Sequence, residues 1–197
     1  MHDLDPVELR VLGCLIEKQK TTPDQYPLSL NALRLACNQA TNRDPVVDYD
    51  EHSLREALHR LAGRGFTRLA SGPGSRVAKY RHLFAEALSL DNGELAVLAV
   101  LMLRGPQTAG ELKGHAERLH RFADLGAVLA TLAGLADREL AVQLERRPGQ
   151  KEERWAHLLG GGESAGEPPA APQPALDDRL ARIEERLDEL ERLLADR

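Results

Sequence analysis

The sequence predicts a mainly α-helical chain with small β-hairpins, of the α+β class, arranged as two similar units followed by a separate C-terminal helix. Three observations carry this. The pattern LDPVELRVLGCLI that opens at Leu4 returns at Leu90 as LDNGELAVLAVLML, and the ends of the two units match as well. Each copy runs from helical apolar spacing into a pair of alternating segments. Six apolar residues then recur at heptad spacing from Leu176 to the end of the chain. A repeat constrains both of its copies, because each must be able to adopt the fold of the other.

In the first copy, Leu4, Val7, Val11, Leu12 and Leu15 lie at helical spacing, with Pro6 tolerated in the first turn and Asp5 or Asp3 near the cap. The run ends before TTPDQYP, where two prolines enforce non-helical chain. A short second helix is expected from about Ser29 to Asn38. Ser29 is its cap, Leu30 and Leu33 face inward, and Leu35 or Ala36 joins them. After the polar connection QATNRDPVVDY, Asp50 caps a third helix whose Leu54, Ala57, Leu58 and Leu61 form one stripe. Gly63 and Gly65 stop it. Residues 66–70 and 77–83 alternate around SGPGS, which signals a hairpin.

The second copy repeats the course with helices over 92–104, 108–121 and 125–138 and strands near 140–145 and 153–158. Helix, helix, turn, helix and hairpin is the order of a winged helix-turn-helix module. The matched offset is 86 residues at Glu8 and Glu94 but 74 at Leu58 and Leu132, so the first copy holds about a dozen extra residues between its first and third helices. The division that follows is a first winged-helix domain over 1–85, a second over 86–160, a Gly/Pro-rich linker over 161–175 and an amphipathic heptad helix over 176–197. With Leu180, Leu187 and Leu194 at a and Leu176, Ile183 and Leu190 at d, Arg179 and Arg186 fall at g and Glu184 and Glu191 at e. That is the charge pattern of a parallel coiled-coil homodimer. A helix folded back on the body, or a partner protein seated on this helix, are the alternatives.

The formal net charge of −5 is uneven: +2 over residues 1–84, −2 over 85–162 and −5 over the remainder. Only the first unit is mildly basic, which excludes a strong overall nucleic-acid footprint and leaves room for a local one. Cys14 and Cys37 are the only cysteines, there is no cationic and apolar leader, and no apolar run approaches a membrane span. A cytoplasmic protein with two reduced, buried thiols and no membrane contact is expected.

Nothing in the motifs predicts an enzyme, a metal or a cofactor. His52 and His59 are seven residues apart with Glu56 between them, which lacks the i,i+4 histidine pair of a zinc helix; His115 and His120 are no better spaced. Cys14 sits among buried-face residues, and neither His82 nor His157 has an orienting acid beside it in sequence. GPGSR lacks the lysine and following helix of a phosphate loop.

Double-stranded DNA is the partner the module suggests. The third helix of the first unit offers Arg55 and His59 toward base edges, although Glu51 and Glu56 would repel phosphate. The stronger basic cluster is Arg43 in the connection, Arg64 and Arg68 at the start of the hairpin, and Arg76, Lys79 and Arg81 on its far side. The candidate contacts are therefore Arg43, Arg55, His59, Arg76, Lys79 and Arg81. Lys79 and Arg81 share one strand face, with Tyr80 and His82 on the other. The third helix of the second unit presents Ala127, Ala130, Thr131 and Gly134, a surface suited to packing against the first unit or another subunit, or to its own core, with Arg146, Arg147 and Lys151 left at its wing.

The run LGCLIEKQKTTPDQYPLSLNALRLACNQATNRDPVVDY, with GSRVAKYRHLF, ELAVLAVLMLRGPQTAGEL and RFADL, closely resembles the bacterial YceH family over about residues 4 to 160. The resemblance implies two winged-helix domains and a dimer, and implies no reaction, ligand or cofactor. It draws attention to the odd segments, where Asn38, Gln39 and Asn42 can hold the connection through backbone bonds and Arg43 either projects from a fixed loop or pairs with Asp44 or Asp48. Two functions follow: a DNA-associated or regulatory winged-helix protein, and, as the alternative, a protein-interaction scaffold that binds no nucleic acid.

Overall fold

The computed structural model describes residues 3–70, 77–146 and 152–160. The linker and heptad helix expected over 161–197 lie outside the described residues, as does Arg76. Among the described residues there are seven helices and two small antiparallel sheets, an α+β architecture. The first repeat holds α1 (Pro6–Thr21), a 3₁₀ turn (Pro23–Gln25), β1 (Leu28–Ser29), α2 (Leu30–Cys37), α3 (Glu51–Gly63), β2 (Thr67–Leu69) and β3 (Lys79–His82). A single turn, α4 (Phe84–Ala87), leads to the second repeat: α5 (Asn92–Arg104), α6 (Ala109–Ala116), α7 (Leu125–Asp137), β4 (Ala141–Leu144) and β5 (Arg154–His157).

The repeat extends to how the helices begin and end. α1 and α5 each start in a capping box, Asp5 with Glu8 and Asp91 with Glu94. Ser29 and Thr108 cap α2 and α6, and Asp50 and Asp124 cap α3 and α7. Both third helices end in the same reversal: Phe66 N–H donates to the Leu61 carbonyl and Leu140 N–H to the Leu135 carbonyl, each at 2.9 Å. The left-handed residue of that turn is Gly65 (φ 76°) in the first copy and Glu139 (φ 55°) in the second. Gly65 adopts the conformation freely, whereas Glu139 bears the cost of its Cβ.

The hairpins share a register. Thr67 opposes His82 and Ala141 opposes His157. Each hairpin also gains a third chain segment that the sequence reading lacked. β1 pairs with β3, Leu28 opposite Tyr80, giving the order β1-β3-β2, and Gln107 forms the matching bridge with Trp155. Of the two residues left open in α2, Ala36 is buried and Leu35 is 59% exposed.

α1 and α5 form the centre. Every residue from Glu8 to Glu17 is buried in α1, and Gly93 and every residue from Leu95 to Leu103 in α5. Helices buried on all sides are those packed within a core rather than over it. They meet where Gly13 leaves no room for a side chain, since a Cβ there would lie 2.9 Å from Leu103 Cγ and Cδ2. The ends interlock too: Leu4 N–H donates to the Leu159 carbonyl at 2.8 Å, so the start of the chain pairs with the end of the second hairpin. One apolar core therefore runs through both repeats. No helix among the described residues is long and apolar enough to cross a membrane.

Candidate nucleic-acid interface

α3 turns Leu54, Ala57, Leu58 and Leu61 inward and leaves Arg55 and His59 exposed on its outer side. Arg55 is held to Glu51 one turn earlier at 3.2 Å, both side chains well exposed, so the pair is weak and can be exchanged for another anion. Arg60, further along, is committed: it donates to Glu8 at 3.1 Å and to Asp5, tying α3 to the capping box of α1. The second repeat has a counterpart in Arg138, which bonds Glu94 at 3.0 Å.

The first hairpin carries its basic residues on one face. Lys79 is exposed and Arg81 half-buried, while Tyr80 and His82 turn toward the body of the protein. Arg68 stands directly opposite Arg81 across the sheet and is exposed. Like charges placed opposite one another across a sheet destabilise it unless an anion intervenes. Arg81 finds one in Glu86 at 2.9 Å, and Arg68 has none among the described residues. Arg68, Lys79 and Arg81 thus line one face of the hairpin that follows α3. The placement of Arg68 depends on the cross-strand register, which two short strands joined by a glycine-rich tip do not reveal in sequence.

Arg43 does not belong to this surface, which corrects its expected projection from the connection. Its side chain is fully buried, and it pairs with neither Asp44 nor Asp48. It reaches back to α1, donating through Nη2 to Glu17 Oε2 at 2.6 Å and through Nη1 to Oε1 at 3.2 Å. Nε and Nη1 also donate to the carbonyls of Ala36 and Asn42, at 3.1 and 2.8 Å. A guanidinium with all this bonding satisfied, held two-fold by a carboxylate, is a fastening. Arg10 acts similarly, donating to the carbonyls of Cys37 at 3.1 Å and Pro45 at 2.6 Å. Asn38 completes the connection by donating to the Tyr49 carbonyl at 2.8 Å and accepting from the Tyr49 N–H at 2.9 Å.

His82 and His157 occupy equivalent places in the two repeats, and burial lowers the pKa of each to about 4. Both are neutral core residues at neutral pH. Nε2 of His82 meets Gln19 Oε1 at 2.7 Å, and its Nδ1 is buried without a partner. Cys14 and Cys37 are free and buried. Cys14 Sγ donates to the Ala36 carbonyl at 3.4 Å.

In the second repeat the positions matching Arg68 and Arg81 hold Val142 and Ala156, and the one matching Lys79 holds Arg154, which is spent on Glu111 at 3.1 Å and the Pro106 carbonyl at 2.7 Å. The outer side of α7 is apolar. Leu125 and Leu129, one turn apart, are 45% and 44% exposed beside exposed Ala130, so this face is not covered by the first repeat.

A family model described as "Protein of unknown function, DUF480" matches residues 4–150. The chain is 50% identical over 193 residues to a UPF0502 protein of Solibacter usitatus, covering 96% of this chain and 93% of that one. It is 51% identical over 197 residues to a UPF0502 protein of Pelobacter propionicus (95% and 90% covered) and 46% identical over 205 residues to one of Dechloromonas aromatica (98% and 95% covered). Matches of this extent and identity establish that the chain belongs to the DUF480 (UPF0502) family.

Proposed function

We propose that the protein is a non-enzymatic pair of winged-helix units, and that the first unit associates with duplex DNA in a regulatory role. The observation that carries this reading is the opposed pair Arg68 and Arg81, with Lys79, on one face of the hairpin that follows α3. In a winged-helix unit the third helix enters the major groove and the hairpin lies along the backbone. Arg55 and His59 are then placed for base edges, and the hairpin cations for phosphates. Glu51 and Glu56 on the same helix oppose phosphate, so the expected affinity is modest. The reading is tested by fluorescence anisotropy with a labelled random-sequence duplex. Three phosphate contacts give a salt slope of about −2.7, hence a loss of roughly 40-fold in affinity between about 50 and 200 mM salt. An Arg68→Ala, Arg81→Ala variant should lose most binding at either concentration. A chain that shows no binding at the lower salt does not have this function.

A second reading is favoured by α7, whose apolar outer face is what a contact with a second copy of the chain would bury. Mass in solution separates its sources: Leu129→Glu would dissociate a dimer formed through α7, whereas cutting after Ala165 would dissociate one formed through the heptad segment.

A further inference from the structure

The polar connection between α2 and α3 distinguishes the first repeat from the second. It crosses to the second repeat, where the Asp44 N–H donates to the Leu103 carbonyl at 2.9 Å at the end of α5. Asn42, in the left-handed conformation at φ 59°, accepts from Arg104 through its side chain. Between this connection, the end of α1 and the α5–α6 pair lies a cleft of about 280 Å³. Lys18, Arg104 and Arg118 bring three cations to its wall, contributed by both repeats.

The only acid lining the cleft among the described residues is Glu17, and Glu17 is already neutralised by the buried fork of Arg43. Lys18 sits 3.8 Å from that carboxylate and donates to Gln39 at 3.2 Å, while Arg118 is exposed and has no ion pair among the described residues. His115 also lines the cleft, with Nδ1 at 2.8 Å from Gln107. Burial and the neighbouring Arg104 hold its pKa below the ordinary histidine value. A protein of net charge −5 thus concentrates cations in one concave, polar place.

The geometry points to an anion site: the cleft binds the phosphate group of a small ligand, with Arg104 and Arg118 donating to its oxygens and Lys18 supplying the third charge. Guanidinium forks are suited to phosphate oxygens, and the cavity lies at the small end of ligand sites, which fits a phosphate or diphosphate group better than a whole nucleotide. A ligand held there touches both repeats at once.

The test is titration calorimetry of the full chain at constant ionic strength with orthophosphate, pyrophosphate and ribose 5-phosphate in separate arms. The expected result is saturable one-to-one binding of at least one of them with a Kd below about 1 mM. Tightest binding of the sugar phosphate would assign the site to a phosphorylated metabolite, and tightest binding of either inorganic ion to free phosphates. Arg118→Ala, at an exposed position, should weaken binding at least about tenfold with an unchanged melting temperature. Arg68→Ala on the first hairpin should leave it unaltered. Absence of saturable binding up to about 10 mM, equal affinity in Arg118→Ala, or loss of binding in Arg68→Ala would each overturn the assignment.

Discussion

Replacing Arg43 with alanine separates a structural arginine from a nucleic-acid contact. The side chain is 0% exposed and its partner Glu17 only 12%, so the substitution leaves a mostly buried carboxylate whose nearest remaining cation is Lys18 at 3.8 Å. It also removes the donors to the Ala36 and Asn42 carbonyls, which fix the connection to α2. Removing one partner of a buried pair costs about 3–5 kcal/mol; the lower end applies because Glu17 keeps some solvent and Lys18. With a urea slope of about 2 kcal/mol/M, the unfolding midpoint should fall by about 1.5 M. Urea titration followed by circular dichroism measures this. The Glu17→Gln, Arg43→Ala double variant should be less destabilised than the sum of its singles, by about 1–3 kcal/mol. A midpoint shift below about 0.3 M, or a loss of duplex affinity in an equally stable Arg43→Ala protein, would refute the reasoning and return Arg43 to the interface.

Three further outcomes are expected. His82 and His157 have folded pKa values of about 4, below the ordinary histidine value, so the unfolded chain binds more protons between those limits and stability must fall with pH. The loss should run from about pH 6.5 to pH 4, at up to about 1.4 kcal/mol per pH unit for each histidine, and urea midpoints of His157→Leu across that range should show a shallower slope than the parent. Gly13→Ala places a Cβ 2.9 Å from two carbons of Leu103 and should lower stability by about 1–3 kcal/mol through the α1–α5 contact, read by thermal unfolding. Glu139→Gly relieves a left-handed residue at the end of α7 and should raise stability by about 0.5–1 kcal/mol, where its counterpart Gly65 needs no such relief.

All the helices but the single turn α4 were legible, because each of them is marked by a capping residue as well as by apolar spacing. Asp5, Ser29, Asp50, Asp91, Thr108 and Asp124 all act as N-caps. The repeat then supplied the hairpins, whose registers agree between copies. β1 was not legible, because a strand of two residues displays no period and Leu28–Ser29 reads equally well as the approach to a capped helix. The fate of Arg43 was hidden for a different reason. Its partner Glu17 lies 26 residues earlier on another helix, and no local pattern distinguishes an arginine that folds inward from one that projects. Likewise the single-faced apolar spacing of α1 gave no sign that α5 would bury its opposite side, which only the close approach at Gly13 makes visible. Of the candidate contacts, Arg55, His59 and Lys79 are exposed and Arg81 is half-buried, and the register sets Arg68 opposite Arg81.

The proposed DNA contact belongs to the first repeat alone, and mapping amide shifts by NMR on addition of a short random-sequence duplex distinguishes the two repeats. Shifts should be confined to α3 around Arg55 and His59 and to β2 and β3 around Arg68, Lys79 and Arg81, fading as salt is raised from about 50 to 200 mM. Shifts centred on α7 and the β4–β5 hairpin, or none at the lower salt, would contradict that contact.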